Sequence, residues 1–264
     1  FKQKTAYEIT YGDWSSDVCS SDLDEKIRTE FQRIVGSIIF AVVMTRADLA
    51  NACSQLGRVM SNLTAADVQH AKRVLRYIAG TLDHGIMYTN EASKPPGAID
   101  SISPITPMGF SDSDWAGNTD DRTSTTGSIV FLAGGTVSWK SKQQRIQALS
   151  SAEAEYIAIG ETAKDVMYVR NTMIEMGIII DGPTEIKTDS TAAMGIATRP
   201  GLRDTSKHIQ LRHHWVRKLI NEKQVKLTKV DTKRNAADML TKALPVDLFE
   251  RHRYVVVRSK PTDV

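Results

Sequence analysis

Three β-rich runs lie close together in the chain, Met108 to Asp114, Thr126 to Leu132 and Thr136 to Lys142, and a long helical pattern from about Ala152 to Met176, closed by Gly177, follows them. Gly134-Gly135 is a hairpin signal between the second and third runs. Beyond the helix come a strand from Glu185 to Thr188, a short helix after Asp189, a basic helix from about Thr205 to Asn221, a strand from Val225 to Val230 and a final helix from Ala236. The order β-β-β-α-β-α-α-β-α predicts an α/β unit, a mixed five-stranded sheet flanked by helices.

Ahead of this unit, residues 91–107 hold Pro95, Pro96, Gly97, Pro104 and Pro107 among several serines. Neither helix nor strand tolerates that spacing, so the segment reads as a linker. Before it, residues 24–90 read as a small helical unit. Ile27, Phe31, Ile34, Ile38 and Val42 recur at helical steps, and Thr45 with Asp48 and Thr64 with Asp67 have the spacing of capping pairs that open two more helices. In the third helix Val68, Ala71, Leu75 and Ile78 are expected inward, with Lys72, Arg73 and Arg76 on its other faces. Residues 12–23, rich in Ser and Asp, follow neither helical nor strand period and resemble the translation of a sequencing adapter. Residues 1–23 are therefore expected to be unstructured, and Trp14 and Cys19 support no functional argument.

With 264 residues, 41% of them hydrophobic and 25% charged, the composition is that of a globular protein. The longest apolar run, Ile34 to Met44, spans eleven residues and includes Gly36 and Ser37. A membrane-crossing helix needs about 20, so a buried helix and no membrane partner are expected. Two cysteines, Cys19 and Cys53, and no leader pattern suggest a reducing compartment. The net charge is +3, but nine Lys/Arg between Lys207 and Arg234 against Glu222 and Asp231 give that segment +7 and leave −4 on the remainder. Such a stripe suits a polyanion, although a solvated helix face has the same composition.

Four segments place a carboxylate at a strand or at a helix start: Gly109-Phe110-Ser111-Asp112-Ser113-Asp114-Trp115, Ser150-Ser151-Ala152-Glu153-Ala154-Glu155-Tyr156, Lys187-Thr188-Asp189-Ser190 and Ala236-Ala237-Asp238-Met239-Leu240. Carboxylates converging from separate elements can hold divalent metal. Asp112 lies mid-strand, where a bare carboxylate is costly unless paired or metal-bound, and Asp114 shares its face. Glu153 and Glu155 point about 200° apart on a helix, so only one can face a site. Ser150 and Glu153 have capping-box spacing, which gives Glu153 a local task and favours Glu155, with Glu153 as the alternative. Asp189 has the alternative of capping the next helix, and Asp238 that of partnering Asn235 in a cap.

These motifs resemble the ribonuclease H domain of copia-type long-terminal-repeat retrotransposon polyproteins, over about Met108 to Leu244. Residues 24–90, with Phe31-Gln32-Arg33-Ile34-Val35-Gly36-Ser37, Thr45-Arg46-Ala47-Asp48-Leu49 and Ala71-Lys72-Arg73-Val74-Leu75-Arg76-Tyr77-Ile78, are similar to the end of the reverse transcriptase, its thumb and connection region, in the same polyproteins. The resemblance implies a ribonuclease H-like fold over residues 108–245 with a tail at 246–264. It also implies two Mg²⁺ or Mn²⁺ ions held by catalytic Asp112, Glu155, Asp189 and Asp238, and cleavage of the RNA strand of an RNA/DNA hybrid during reverse transcription.

Lys207, His208, Arg212, His213, Arg217 and Lys218 are the candidate nucleic-acid contacts. His208, His213 and His214 lack matching thiols for a metal site and fit phosphate contact or solvation. The remainder of the reverse transcriptase is the expected protein partner. The expected location is the cytoplasm, within virus-like particles, with the nucleus as a second compartment. Cellular ribonucleases H carry a mobile His before the last helix, whereas Asp231-Thr232-Lys233-Arg234-Asn235 contains none. No Tyr-x-Asp-Asp hairpin is present, so polymerisation is not expected. The competing readings are a catalytically inactive nucleic-acid-binding or scaffolding remnant of a decayed element, and a metal-dependent exonuclease or integrase on the same fold.

Overall fold

The computed structural model describes residues 25–88, 106–118, 121–198 and 215–259, which form two units. One contains residues 87–242 and is built on a five-stranded sheet. In chain order its elements are β2 (Met108–Asp114), β3 (Thr125–Leu132), β4 (Gly135–Gln143), the long helix α4 (Ser151–Glu175), β5 (Thr184–Thr188), α5 (Thr191–Thr198), helix α6 (described over 215–221) and β6 (Val225–Lys229). The strand order is β4-β3-β2-β5-β6. β2, β3 and β4 run antiparallel, whereas β5 and β6 join in parallel. This is the mixed five-stranded sheet flanked by helices expected from the sequence.

Local chemistry sets the connections. The β3–β4 turn is Ala133-Gly134, at φ 50° and 73°, and Gly135 already begins β4. The hairpin therefore turns one residue earlier than Gly134-Gly135 suggested. Ser150 caps α4 through the Glu153 N–H, and Gly177 leaves the helix at φ +79°, a conformation costly for other residues. Val130, Tyr156, Ile159, Val166, Ile186, Val216 and Val225 form the core between sheet and helices. Burying side chains of this size stabilises by about 1.5–3 kcal/mol each. At Gly109 a Cβ would lie 2.8 Å from Val166 Cγ2 and 2.9 Å from Thr162 Cγ2, so the missing side chain lets α4 lie directly on β2.

The other unit takes in residues up to 86 and from 243 onward. Its elements are α1 (Glu25–Met44), α2 (Ala50–Arg58), α3 (Ala65–Ala79), β1 (His84–Gly85), α7 (Val246–Val256) and β7 (Arg258–Ser259), the last paired antiparallel with β1. Residues 246–259, expected as a tail, thus form a helix and a strand. Thr64 and Asp67 make the full capping box. Thr45 and Asp48 do not, because Asp48 is buried and accepts from Arg46 Nε and Nη2, at 2.9 and 2.8 Å, and from the Tyr77 hydroxyl at 2.9 Å. The inner face of α3 is rotated from the expected one, with Ala71, Val74 and Tyr77 buried and Leu75 exposed. Tyr77 draws the helix round by reaching this polar cluster. In α1, Val35 rather than Ile34 joins Phe31 and Ile38 in the core. Among the described residues no helix is long and apolar enough to cross a membrane. Residues 1–23 and the 91–105 portion of the linker lie outside the described residues.

Candidate active site

β2 contributes Asp112 near its end, almost wholly buried. Its register partner on β3 is Gly127, where a Cβ would lie 2.7 Å from Ala237 O and 2.7 Å from Thr241 Cγ2. That missing side chain lets the segment after β6 close against the sheet beside Asp112. The segment is a 3₁₀ turn, Ala236–Leu240, where a final helix was expected. Asn235 anchors it, donating from Nδ2 to Ser111 O at 3.0 Å while its Oδ1 accepts the Ala237 N–H at 3.3 Å. Asp238 and Asp112 are thereby brought together, and the Thr241 hydroxyl donates to Asp112 Oδ2.

The first turns of α4 give the two glutamates different partners. Glu153 bends back to accept the Leu149 N–H at 2.8 Å, while its own N–H donates to Ser150 Oγ at 3.2 Å. Glu155 faces the sheet and accepts the Ser113 N–H at 3.2 Å through Oε1. Asp189 follows β5, the parallel neighbour of β2, and the cap of α5 comes from Ser190, whose Oγ accepts the Ala193 N–H at 3.1 Å. Ser190 thus performs the capping that could have occupied Asp189.

Asp112, Glu155 and Asp189 each offer a carboxylate oxygen within 4.8 Å of the others. Asp238 flanks this trio on the Asp112 side. Burial pushes Glu155 up to about 9, reinforced by the negative charges of Asp112 and Asp189. Burial likewise pushes Asp238 up to about 8, with Asp112 adding to the rise. Lys242 Nζ lies 3.1 Å from Asp238 Oδ1 and 3.8 Å from Asp112 Oδ2. These two carboxylates hold the Lys242 ammonium above its ordinary range although its own burial opposes the charge.

The oxygen-only donor set suits a hard divalent cation. One atom is a specific sign of fit, since Glu155 Oε2 is buried with no hydrogen-bond partner. A cation among the carboxylates would occupy that acceptor and offset the repulsion that raises Glu155 and Asp238. Asp114, two residues after Asp112 in β2, has its carboxylate beside Gly117, where a Cβ would meet it.

Of the basic candidates, Lys207, His208, Arg212 and His213 lie outside the described residues. Arg217, half-buried, and Lys218, exposed with its Nζ 3.7 Å from Glu222 Oε1, lie on α6. Sequence reasoning missed Thr241 and Lys242. The available signal was their place three and four residues after Asp238, one turn on in a tightly wound segment.

No family model matches the chain. It is 33% identical over 239 residues to the retrovirus-related Pol polyprotein from transposon TNT 1-94 of Nicotiana tabacum, covering 89% of this chain and 17% of that protein. It is 35% identical over 222 residues to the retrovirus-related Pol polyprotein from transposon RE2 of Arabidopsis thaliana, covering 84% of this chain and 14% of that one. The chain therefore spans about a sixth of the length of these relatives. Among solved structures, LC11-RNase H1 isolated from compost aligns with 52% of this chain and 93% of its own, at 17% identity and a TM-score of 0.38.

Proposed function

Because the chain belongs to the retrovirus-related Pol polyproteins of copia-type retrotransposons, we propose that its sheet-based unit is a metal-dependent ribonuclease H that hydrolyses the RNA strand of RNA/DNA hybrids. The observation that carries this reading is the convergence of Asp112, Glu155 and Asp189, from β2, α4 and the end of β5, within 4.8 Å. Asp112, Glu155, Asp189 and Asp238 would hold Mg²⁺ or Mn²⁺. When bound, such ions supply positive charge at the scissile phosphate and an acidified water at neutral pH. The chain's own part is orientation. The Ser113 N–H fixes Glu155, the Thr241 hydroxyl fixes Asp112, and Asn235 clamps the Asp238 segment to β2.

Hybrid recognition would rest on backbone charge, 2′-hydroxyl contacts and groove shape with little base readout. The basic segment from Lys207 to Lys218 supplies charge for the phosphates. The helical unit is read as the end of the reverse transcriptase, whose remainder would be its partner.

The test is a comparison of substrates. The full chain in Mg²⁺ is expected to cut the RNA strand of a hybrid and to leave the same sequence intact as single-stranded RNA, duplex RNA or duplex DNA. Binding of the hybrid by folded protein without cleavage in Mg²⁺ or Mn²⁺ would instead identify a non-catalytic binding module.

A further inference from the structure

Four carboxylates meet in this site, and the chain itself brings a cation to them. Lys242 lies four residues after Asp238, and the 3₁₀ turn carries its side chain back toward the sheet. Its Nζ stands 3.1 Å from Asp238 Oδ1 and 3.8 Å from Asp112 Oδ2, two carboxylates whose side chains are each 2% exposed. The lysine side chain is 39% exposed, so the ammonium enters from the solvent side and has room to leave again. We propose that Lys242 is a built-in cation of the carboxylate site, its ammonium filling the place beside Asp112 and Asp238 that a divalent ion must take over.

The arrangement makes the two sides of Asp112 unequal. Toward Glu155 and Asp189 the oxygens face one another, Lys242 acts on Asp189 through its field and makes its ion pairs with Asp112 and Asp238, and Glu155 Oε2 is buried with no hydrogen-bond partner. Toward Asp238 the two carboxylates share the Lys242 ammonium. Thr241 donates to the same Asp112 oxygen, so the lysine's neighbour is fixed while the lysine itself sits on a flexible four-carbon stem. An ion entering on the Glu155 side leaves the Lys242 ion pairs in place. One entering on the Asp238 side must displace a tethered ammonium. Lys242 therefore keeps the metal-free site neutral enough to stay folded and sets the order in which cations load.

This inference rests on the metal-binding reading of the site, and its test measures binding, not cleavage. Mn²⁺ is titrated into the full chain without nucleic acid, and bound ions are counted by calorimetry and by loss of the free-ion paramagnetic resonance signal. Wild type is expected to take one ion readily and a second at least tenfold more weakly. Lys242→Gln should tighten the second event tenfold or more, whereas Lys242→Arg, which keeps the charge, should behave as wild type. In EDTA the glutamine variant should melt below wild type and recover with Mn²⁺. Were it unfolded in EDTA, recovery of its circular dichroism on adding Mn²⁺ would report the same exchange. Equal Mn²⁺ binding by wild type and Lys242→Gln, or no recovery, overturns the role of Lys242. An absence of Mn²⁺ binding by wild type overturns the metal site itself.

Discussion

Glu155 Oε1 accepts the main-chain N–H of Ser113 at 3.2 Å, tying the second turn-facing carboxylate of α4 to the end of β2 and leaving Oε2 buried without a partner. Glu153, two residues earlier, spends its carboxylate on the Leu149 N–H outside the site. The two glutamates should therefore separate cleanly by mutation. Glu155→Gln is expected to abolish Mg²⁺-dependent cleavage of a hybrid. Glu153→Gln should retain most activity and lose about 0.3–1 kcal/mol of stability through the negative charge removed from the first turn of the helix. Parallel cleavage assays and urea melts check both, and equal losses of activity would contradict the assignment.

Asp112 is the residue all the others share, facing Glu155 and Asp189 on one side and Lys242 and Thr241 on the other. Asp112→Asn preserves shape and lets Thr241 keep donating. Losing groups that merely support a metal ligand costs about 10–100-fold, so replacing this carboxylate should lower cleavage by more than about 100-fold. Its circular dichroism should match wild type.

Gly127→Ala tests how the Asp238 segment reaches Asp112. The new methyl would stand 2.7 Å from Ala237 O and from Thr241 Cγ2, contacts that backbone must yield to relieve. A destabilisation of about 1–3 kcal/mol is expected, as for other overpacked sites, with activity falling further than stability accounts for. Thermal melts alongside Mn²⁺ binding separate the two effects.

Stability should depend on pH in a direction unusual for acidic side chains. The fold raises Glu155 to about 9 and Asp238 to about 8, so the folded protein keeps protons that the unfolded chain releases. The stability these groups contribute is fully present below their ordinary values of 4.5 and 3.8 and is lost as pH rises through 8 to 9. In EDTA the melting temperature should fall from about pH 5 to pH 9. The stabilisation given by Mg²⁺ should grow over the same range, because metal binding displaces those protons. A flat metal-free profile would contradict the coupling.

In the helical unit, Arg46 donates to both carboxylate oxygens of Asp48 and to Thr81, and Tyr77 donates to Asp48 as well. Asp48→Ala would strand a buried guanidinium. Removing one partner of a buried pair costs about 3–5 kcal/mol, and this unit should lose that much by denaturant unfolding.

Much of this was legible in the sequence because it depends on short-range pattern. Alternation and turn residues mark β2, β3 and β4, and the Ser150 cap with Gly177 bounds α4. Asp112 stood out as a carboxylate within a strand and Asp189 and Asp238 as carboxylates at element ends, while the Ser150–Glu153 spacing favoured Glu155 and kept Glu153 as the alternative. Long-range contacts escaped. Asp48 reads locally as a cap partner of Thr45, and only the fold brings Tyr77 to it from 29 residues away. The packing of residues 236–241 on Gly127 joins segments more than a hundred residues apart, so the 3₁₀ turn had no local signature, and the spacing of Thr241 and Lys242 after Asp238 did not show that they return to Asp112. The helix Val246–Val256, with Phe249 against Tyr77 edge-to-face at 6.4 Å, likewise depends on partners far back in the chain.

The most direct measurement is cleavage of a uniformly labelled RNA/DNA hybrid by the full chain in Mg²⁺, in Mn²⁺ and in EDTA, beside an Asp112→Asn, Asp189→Asn double variant. The account predicts cutting of the RNA strand alone, in either metal, with no cutting in EDTA or by the folded double variant. Cleavage that persists in EDTA or in the double variant, or none by folded wild type in either metal, would contradict it.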